Sequence, residues 1–208
     1  MTLYDIKPQF QSLLRPLVKR MAETGITANQ VTIAAAICSV IIGGLLVQFS
    51  HLQSLFLVLP AWMFIRMALN AIDGMLAREF AQKSNLGAYL NELCDVISDV
   101  ALFIPFAFVA PFTELTLVLV VFLALFSEFS GVLGLSIQAS RRYDGPLGKS
   151  DRAFIFAVLG LWVGVGGAMP DWLFWIMPIL SVLISVTIIN RIKQALAEVN
   201  QRQLPRNI

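Results

Sequence analysis

The chain has 208 residues, 58% hydrophobic and 13% charged, a formal net charge of +2 and a mean hydropathy of +0.78. Soluble domains carry about 25% charged residues, so this composition excludes an ordinary soluble enzyme and predicts a polytopic membrane protein. A net charge this small argues against nucleic acid as a partner, and the two cysteines, Cys38 and Cys94, lie in apolar runs where a disulfide is not expected.

Residues 4–22 place Ile6, Phe10, Leu13, Leu14, Leu17, Val18 and Met21 at helical spacing, with Lys7, Arg15, Lys19 and Arg20 off that stripe. This pattern predicts an amphipathic helix lying on the membrane surface, kinked at Pro16 and ended by Gly25. The stretch lacks the continuous apolar core of a cleavable signal peptide.

Six candidate spans follow, near 32–49, 53–72, 86–110, 115–138, 153–169 and 172–190, each close to the roughly 17–25 residues that a bilayer core demands. The connections between them carry turn residues at Ser50–His51, Pro111–Thr113 and Pro170–Asp171. The predicted fold class is therefore all-α, a polytopic membrane protein with six transmembrane helices plus an N-terminal amphipathic surface helix. It divides into residues 1–26 (juxtamembrane helix), 27–200 (membrane domain) and 201–208 (cytoplasmic tail). Apart from Arg66, the 15 lysines and arginines fall before the first span, between the second and third, between the fourth and fifth, or after the sixth. Both termini and the loops between those pairs are thus expected in the cytoplasm.

The informative stretch runs from Asn70 to Asp99. Gly87, Asn91, Asp95 and Asp99 recur every four residues and share one helix face. Asn70, Asp73, Gly74 and Arg78 end the preceding apolar run, and a polar turn at Lys83–Ser84–Asn85 reverses the chain. Two antiparallel helices would then aim amide and carboxylate oxygens at a common point, a donor set that suits a hard cation such as Mg²⁺ or Mn²⁺. Burying Asp73, Glu92, Asp95 and Asp99 unpaired would cost on the order of 10 kcal/mol in all, so a charged cavity open to the cytoplasm is expected. An acid cluster held by Arg66 and Arg78 as structural glue is the plain alternative.

This spacing resembles the CDP-alcohol phosphatidyltransferase signature, D-x2-D-G-x2-A-R-x8-G-x3-D-x3-D. Asp73, Gly74, Ala77, Arg78, Gly87 and Asp95 fall on it with every gap intact, while Asn70 and Asn91 stand where the signature has its first and third aspartates. The Thr27-Ala-Asn-Gln-Val-Thr32 opening is similar to the family's T-P-N-x-x-T. The resemblance implies transfer of a phosphatidyl or phosphoryl-alcohol group from CDP-diacylglycerol or another CDP-alcohol to an acceptor hydroxyl, with release of CMP. It implies Asp95 as catalytic base, and Mg²⁺ or Mn²⁺ held by Asn70, Asp73, Asn91 and Asp95. Asp99, one turn beyond Asp95 on nearly the same face, or Glu92, about 100° away from Asn91, would compensate for the missing charges, and Asp99 joins the expected metal set. Gly74 would admit the cytidine, Arg78 would pair with donor phosphate, and Ser84, Asn29 and Thr32 would line the donor pocket. Arg152 would meet an acceptor phosphate. The expected setting is the bacterial inner membrane, with membrane lipids as surroundings and a homodimer as one assembly.

Arg141, Arg142, Lys149 and Arg152 cluster in one cytoplasmic stretch and also satisfy a simple positive-inside loop. Glu128 is expected as an interhelical hydrogen-bonding group, His51 as inert, and Gly43, Gly44, Gly131 and Gly134 as close-packing positions. Besides an active transferase, two readings stay open: a CDP-lipid-binding protein impaired by its two asparagines, and an ion-coupled transporter using the same acids.

Overall fold

The computed structural model describes residues 3–166 and 169–203. It contains seven α-helices: α1 (Leu3–Glu23), α2 (Ala28–Gln48), α3 (Val58–Glu79), α4 (Asn85–Phe103), α5 (Glu114–Leu133), α6 (Lys149–Gly164) and α7 (Ile176–Gln203). Short 3₁₀ turns precede α3 and α7 and follow α4 and α5, and no strand occurs among the described residues. The tail beyond residue 203 lies outside the described residues.

Four helical stretches are long and apolar enough to cross a membrane: Ala28–Gln48, Gln53–Glu79, Glu114–Ile137 and Asp171–Arg202. The other two expected spans are helices of a different character. Acids Glu92, Asp95 and Asp99 interrupt the apolar run of α4, which gives way to a 3₁₀ turn at Ile104–Phe108, and α6 has only 16 residues.

Local chemistry accounts for where the helices start. Thr27 accepts from the Gln30 amide while the Gln30 side chain accepts from the Thr27 amide, a reciprocal cap on α2. Ser84 accepts from the Gly87 amide at 2.9 Å and opens α4. Gln82, in the turn between α3 and α4, accepts from the Ala28 amide at 2.7 Å and so clamps that turn onto the start of α2.

α2 packs most extensively on α4, and α5 on α7. A β-carbon at Gly43 would collide with the Ala101 carbonyl, so glycine is what lets α2 and α4 approach this closely. Gly131 and Gly134 likewise lie under the backbone of Arg142 and Ser140, whereas Gly44 faces open space and packs against nothing. The core is aromatic at its centre. Phe103 stacks on Phe156 with centroids 3.8 Å apart, and Phe106 meets Phe156, Phe56 and Phe112 edge-on.

The helix α1 runs without interruption through Pro16. Its apolar stripe is split between two environments. Val18 is fully buried in a cluster with Ala28, Val31, Ile72, Met75 and Leu76, while Leu13 and Leu17 face outward. Arg15 donates both ends of its guanidinium fork to Glu79 at 3.1 Å and ties α1 to the end of α3.

Candidate active site

The i, i+4 register of α4 carries Gly87, Asn91, Asp95 and Asp99 up one face, and α3 brings Arg66, Asn70, Asp73 and Arg78 alongside. Asp73 is buried and accepts from the Thr32 hydroxyl of α2 at 2.7 Å. Asp95 receives three partners. Arg66 faces it at 3.5 Å, the Asn70 amide nitrogen donates to it at 3.4 Å, and the Lys149 ammonium, at the start of α6, pairs with its other oxygen. Asp73 lies within Coulombic reach of both Asp95 and Lys149. The two signature carboxylates are therefore close enough across α3 and α4 to feel each other's charge.

Asn91 is solvent-exposed on the same face of α4 and one turn from Asp95. Asp99 is placed differently. It is almost fully buried and accepts from Arg66 at 2.6 Å, with Arg152 at 3.6 Å from its other oxygen. Both of its oxygens are engaged by guanidinium groups rather than turned to the pocket of Asp73 and Asp95.

At the donor end, Gly87 explains itself. A β-carbon there would sit 2.8 Å from the Asn29 side-chain oxygen and 3.0 Å from the Ser84 hydroxyl, so glycine allows α2 and the start of α4 to meet. One helical turn after Gly74, the Arg78 guanidinium folds back across it, 3.0–3.4 Å from where a β-carbon would stand. Arg78 is exposed and makes no ion pair with any described residue, which leaves its five donors available to an anion. The site thus gathers Asn29, Thr32, Asn70, Asp73, Gly74, Arg78, Ser84, Gly87 and Asp95 at the meeting of α2, α3 and α4.

Arg152, expected to meet an acceptor phosphate, is instead 1% exposed and donates to Glu128 of α5 at 2.8 Å. Arg141 closes a two-pronged pair on Glu92 at 2.5 and 2.6 Å and also reaches Glu128 at 3.2 Å. Burial opposes the charge on Arg141, but those carboxylates outweigh it and hold its pKa above the ordinary arginine value. Arg142 donates to both oxygens of Asp144, which lowers that carboxyl below the usual aspartate range, and to Glu198 of α7. Arg142 thereby ties the loop at 139–148 to α7, and Arg141 ties it to α4 and α5. Lys149 on Asp95 and Arg191 beside Glu128 are contacts that the sequence did not announce. The one signal available was Glu128 itself, a lone acid in an otherwise apolar span.

Among the described residues, no three His, Cys, Asp or Glu side chains group closely enough to hold a metal unaided. The oxygen donors present are two carboxylates, Asp73 and Asp95, with the side-chain amides of Asn70 and Asn91 on facing helices. That set fits a hard divalent cation, provided Asn70 turns its amide so that oxygen replaces the nitrogen now facing Asp95, and Lys149 yields the Asp95 oxygen that it now holds.

A family profile described as CDP-alcohol phosphatidyltransferase matches residues 25–192. The chain belongs to this family. It is 47% identical over 199 residues to the inner membrane protein YnbA of Escherichia coli K12, covering 94% of this chain and 97% of that one. Together with the four long apolar helices, this marks the family member as a membrane protein. A phosphatidylinositol phosphate synthase of Corynebacterium glutamicum is 34% identical over 101 residues, 49% of this chain and 44% of that one. Among solved structures, Mycobacterium tuberculosis phosphatidylinositol phosphate synthase (PgsA1) shares the fold. Its complex with manganese and citrate superposes with a TM-score of 0.70 at 20% identity, covering 93% of this chain and 90% of that one. Its complex with CDP-DAG gives 0.69 at 22% identity, covering 88% and 92%.

Proposed function

We propose that this protein transfers the phosphatidyl group of CDP-diacylglycerol, or the corresponding group of another CDP-alcohol, to an acceptor hydroxyl, releasing CMP. The observation that carries the reading is that Asp73 and Asp95 lie close enough across α3 and α4 to feel each other's charge, with an unpaired Arg78 folded over the adjacent Gly74. The relatives support it, since the solved PgsA1 structures hold manganese in one case and CDP-DAG in the other.

Arg78 binds the donor's diphosphate, with Gly74 keeping the helix surface low beneath it. Asn29, Thr32 and Ser84 line the nucleotide end, and Thr32 fixes the orientation of Asp73. Asn70, Asp73, Asn91 and Asp95 hold Mg²⁺ or Mn²⁺, which when bound neutralises the diphosphate and the charge on the departing phosphate. The acceptor oxygen forms a bond to the lipid-bearing phosphorus, the phosphorus–oxygen bond to CMP breaks, and its electron pair leaves with CMP. Asp95 takes the acceptor's proton. Lys149 and Arg66 hold the Asp95 carboxylate in place from two sides. Asp99 takes a supporting role, because its oxygens balance Arg66 and Arg152.

We place this chemistry at the cytoplasmic face of the bacterial inner membrane. In the proposed topology α2–α7 are six spans and both termini are cytoplasmic, as the lysine and arginine placement supports. The outward side of α1, with Leu13 and Leu17, lies in the lipid headgroup region. A protein that binds the CDP-lipid without turning it over is the second reading, favoured by Asn70 and Asn91. Incubation with CDP-diacylglycerol, Mg²⁺ or Mn²⁺ and a panel of acceptors, with products read by mass spectrometry, separates the two. A new phospholipid with matching CMP supports the transferase; nucleotide binding without product supports the second reading.

A further inference from the structure

Beside Asp95 the bundle gathers five acids, Asp73, Glu92, Asp95, Asp99 and Glu128, against five bases, Arg66, Arg141, Lys149, Arg152 and Arg191. The two sets cancel. At the centre stands Glu128, 7% exposed, with Arg152 at 2.8 Å, Arg141 at 3.2 Å and Arg191 at 3.5 Å. Three guanidinium groups converging near a catalytic base would ordinarily form a seat for an anionic substrate group. Here the chain fills that seat with its own carboxylate.

The remaining room is too small for a second anion. Arg152 and Arg191 are each 1% exposed, and the nitrogens they leave without a partner, together with one of Arg141, are sealed from solvent. On the Arg152 side of the cluster, a mostly apolar cavity beside Glu128, Asp99 and Phe103 measures about 10 Å³, enough for one water and not for a phosphate. An incoming anion would have to displace Glu128 and leave it buried and uncompensated. Arg78 makes the contrast, exposed and free to meet the donor.

We propose that Glu128 is an internal counter-anion that excludes anionic acceptors, so that this transferase uses an uncharged alcohol or polyol. The inference rests on the transferase reading for its substrate, but the exclusion itself is a binding property that can be measured without turnover. The experiment follows thermal unfolding of the full-length protein in detergent with CMP and Mg²⁺ saturating the donor site, titrated with inorganic phosphate and with glycerol 3-phosphate at constant ionic strength. Wild type should show no saturable stabilisation by either anion. Glu128→Gln, which keeps the side chain's size and removes its charge, should gain it. Saturable stabilisation of wild type, or no gain in a Glu128→Gln protein that still responds to CMP with Mg²⁺, overturns the proposal.

Should Glu128→Gln fail to fold, a competition decides on wild type alone. With CDP-diacylglycerol and equal glycerol and glycerol 3-phosphate, the product of glycerol should dominate at least tenfold; dominance of the phosphorylated product overturns the inference. Absence of CMP release with every acceptor would remove the transferase reading and the acceptor class with it, while the phosphate titration would still judge whether Glu128 excludes anions.

Discussion

Arg66 of α3 donates to Asp99 of α4 at 2.6 Å, and both side chains are almost entirely buried. This pair locks together the two helices that carry the signature residues, and Arg152 joins it from α6. Removing one partner of a buried ion pair leaves the other uncompensated, at a cost of about 3–5 kcal/mol. Asp99→Ala should therefore destabilise the fold by that order in detergent unfolding, with or without ligand. A variant as stable as wild type would show that Asp99 faces the pocket rather than the two arginines.

Asp73 should behave in the opposite way. Its charge serves the ligand site, and no ion pair ties its side chain among the described residues; the Thr32 hydroxyl donates to it. Asp73→Ala should keep the fold and abolish metal-dependent stabilisation by CMP. Undiminished stabilisation would move the nucleotide and metal site elsewhere.

The asparagines give a test by gain. If Asn70 and Asn91 are neutral ligands, restoring aspartate at both adds two charges within a few ångströms of the cation. Each is worth on the order of 4 kcal/mol at an effective dielectric near 20, before desolvation is subtracted. The midpoint of a Mg²⁺ or Mn²⁺ titration of CMP-induced stabilisation should fall in the double variant. Equal midpoints in folded proteins would place neither asparagine next to the metal. Turnover need not rise, because added charge also repels the donor.

Much of this was legible in the chain because it is local. The polar turn at Lys83–Ser84–Asn85, the four-residue recurrence on α4 and the gaps of the signature all depend on neighbours close in the chain. What escaped depends on packing across helices. Lys149 read as positive-inside loop charge, yet the start of α6 delivers it to Asp95. Arg152 read as a substrate contact, yet α5 sets Glu128 against it. Asp99 shares a helix face with Asp95, but Arg66 and Arg152 arrive from other elements and engage it first. Sequence spacing fixes which face a residue occupies, not which charge meets it there.

The placement of the site depends on topology. With every basic residue except Arg66 lying in or beside the connections between α3 and α4 and between α5 and α6, or toward the two ends, a reporter active only in the periplasm should stay silent at either terminus. Periplasmic signal from one end would invert or break the six-span arrangement and put the pocket on the wrong side for a cytoplasmic nucleotide.

The central claim is that Asp95 takes the acceptor's proton in a CDP-lipid transfer, and CMP release tests it most directly. Purified protein with CDP-diacylglycerol, Mg²⁺ or Mn²⁺ and an acceptor panel should release CMP in step with a new phospholipid. Asp95→Asn should slow that release by at least about 10²-fold, the usual contribution of a general base, while the variant still binds CMP. Release at the wild-type rate in Asp95→Asn would contradict the account.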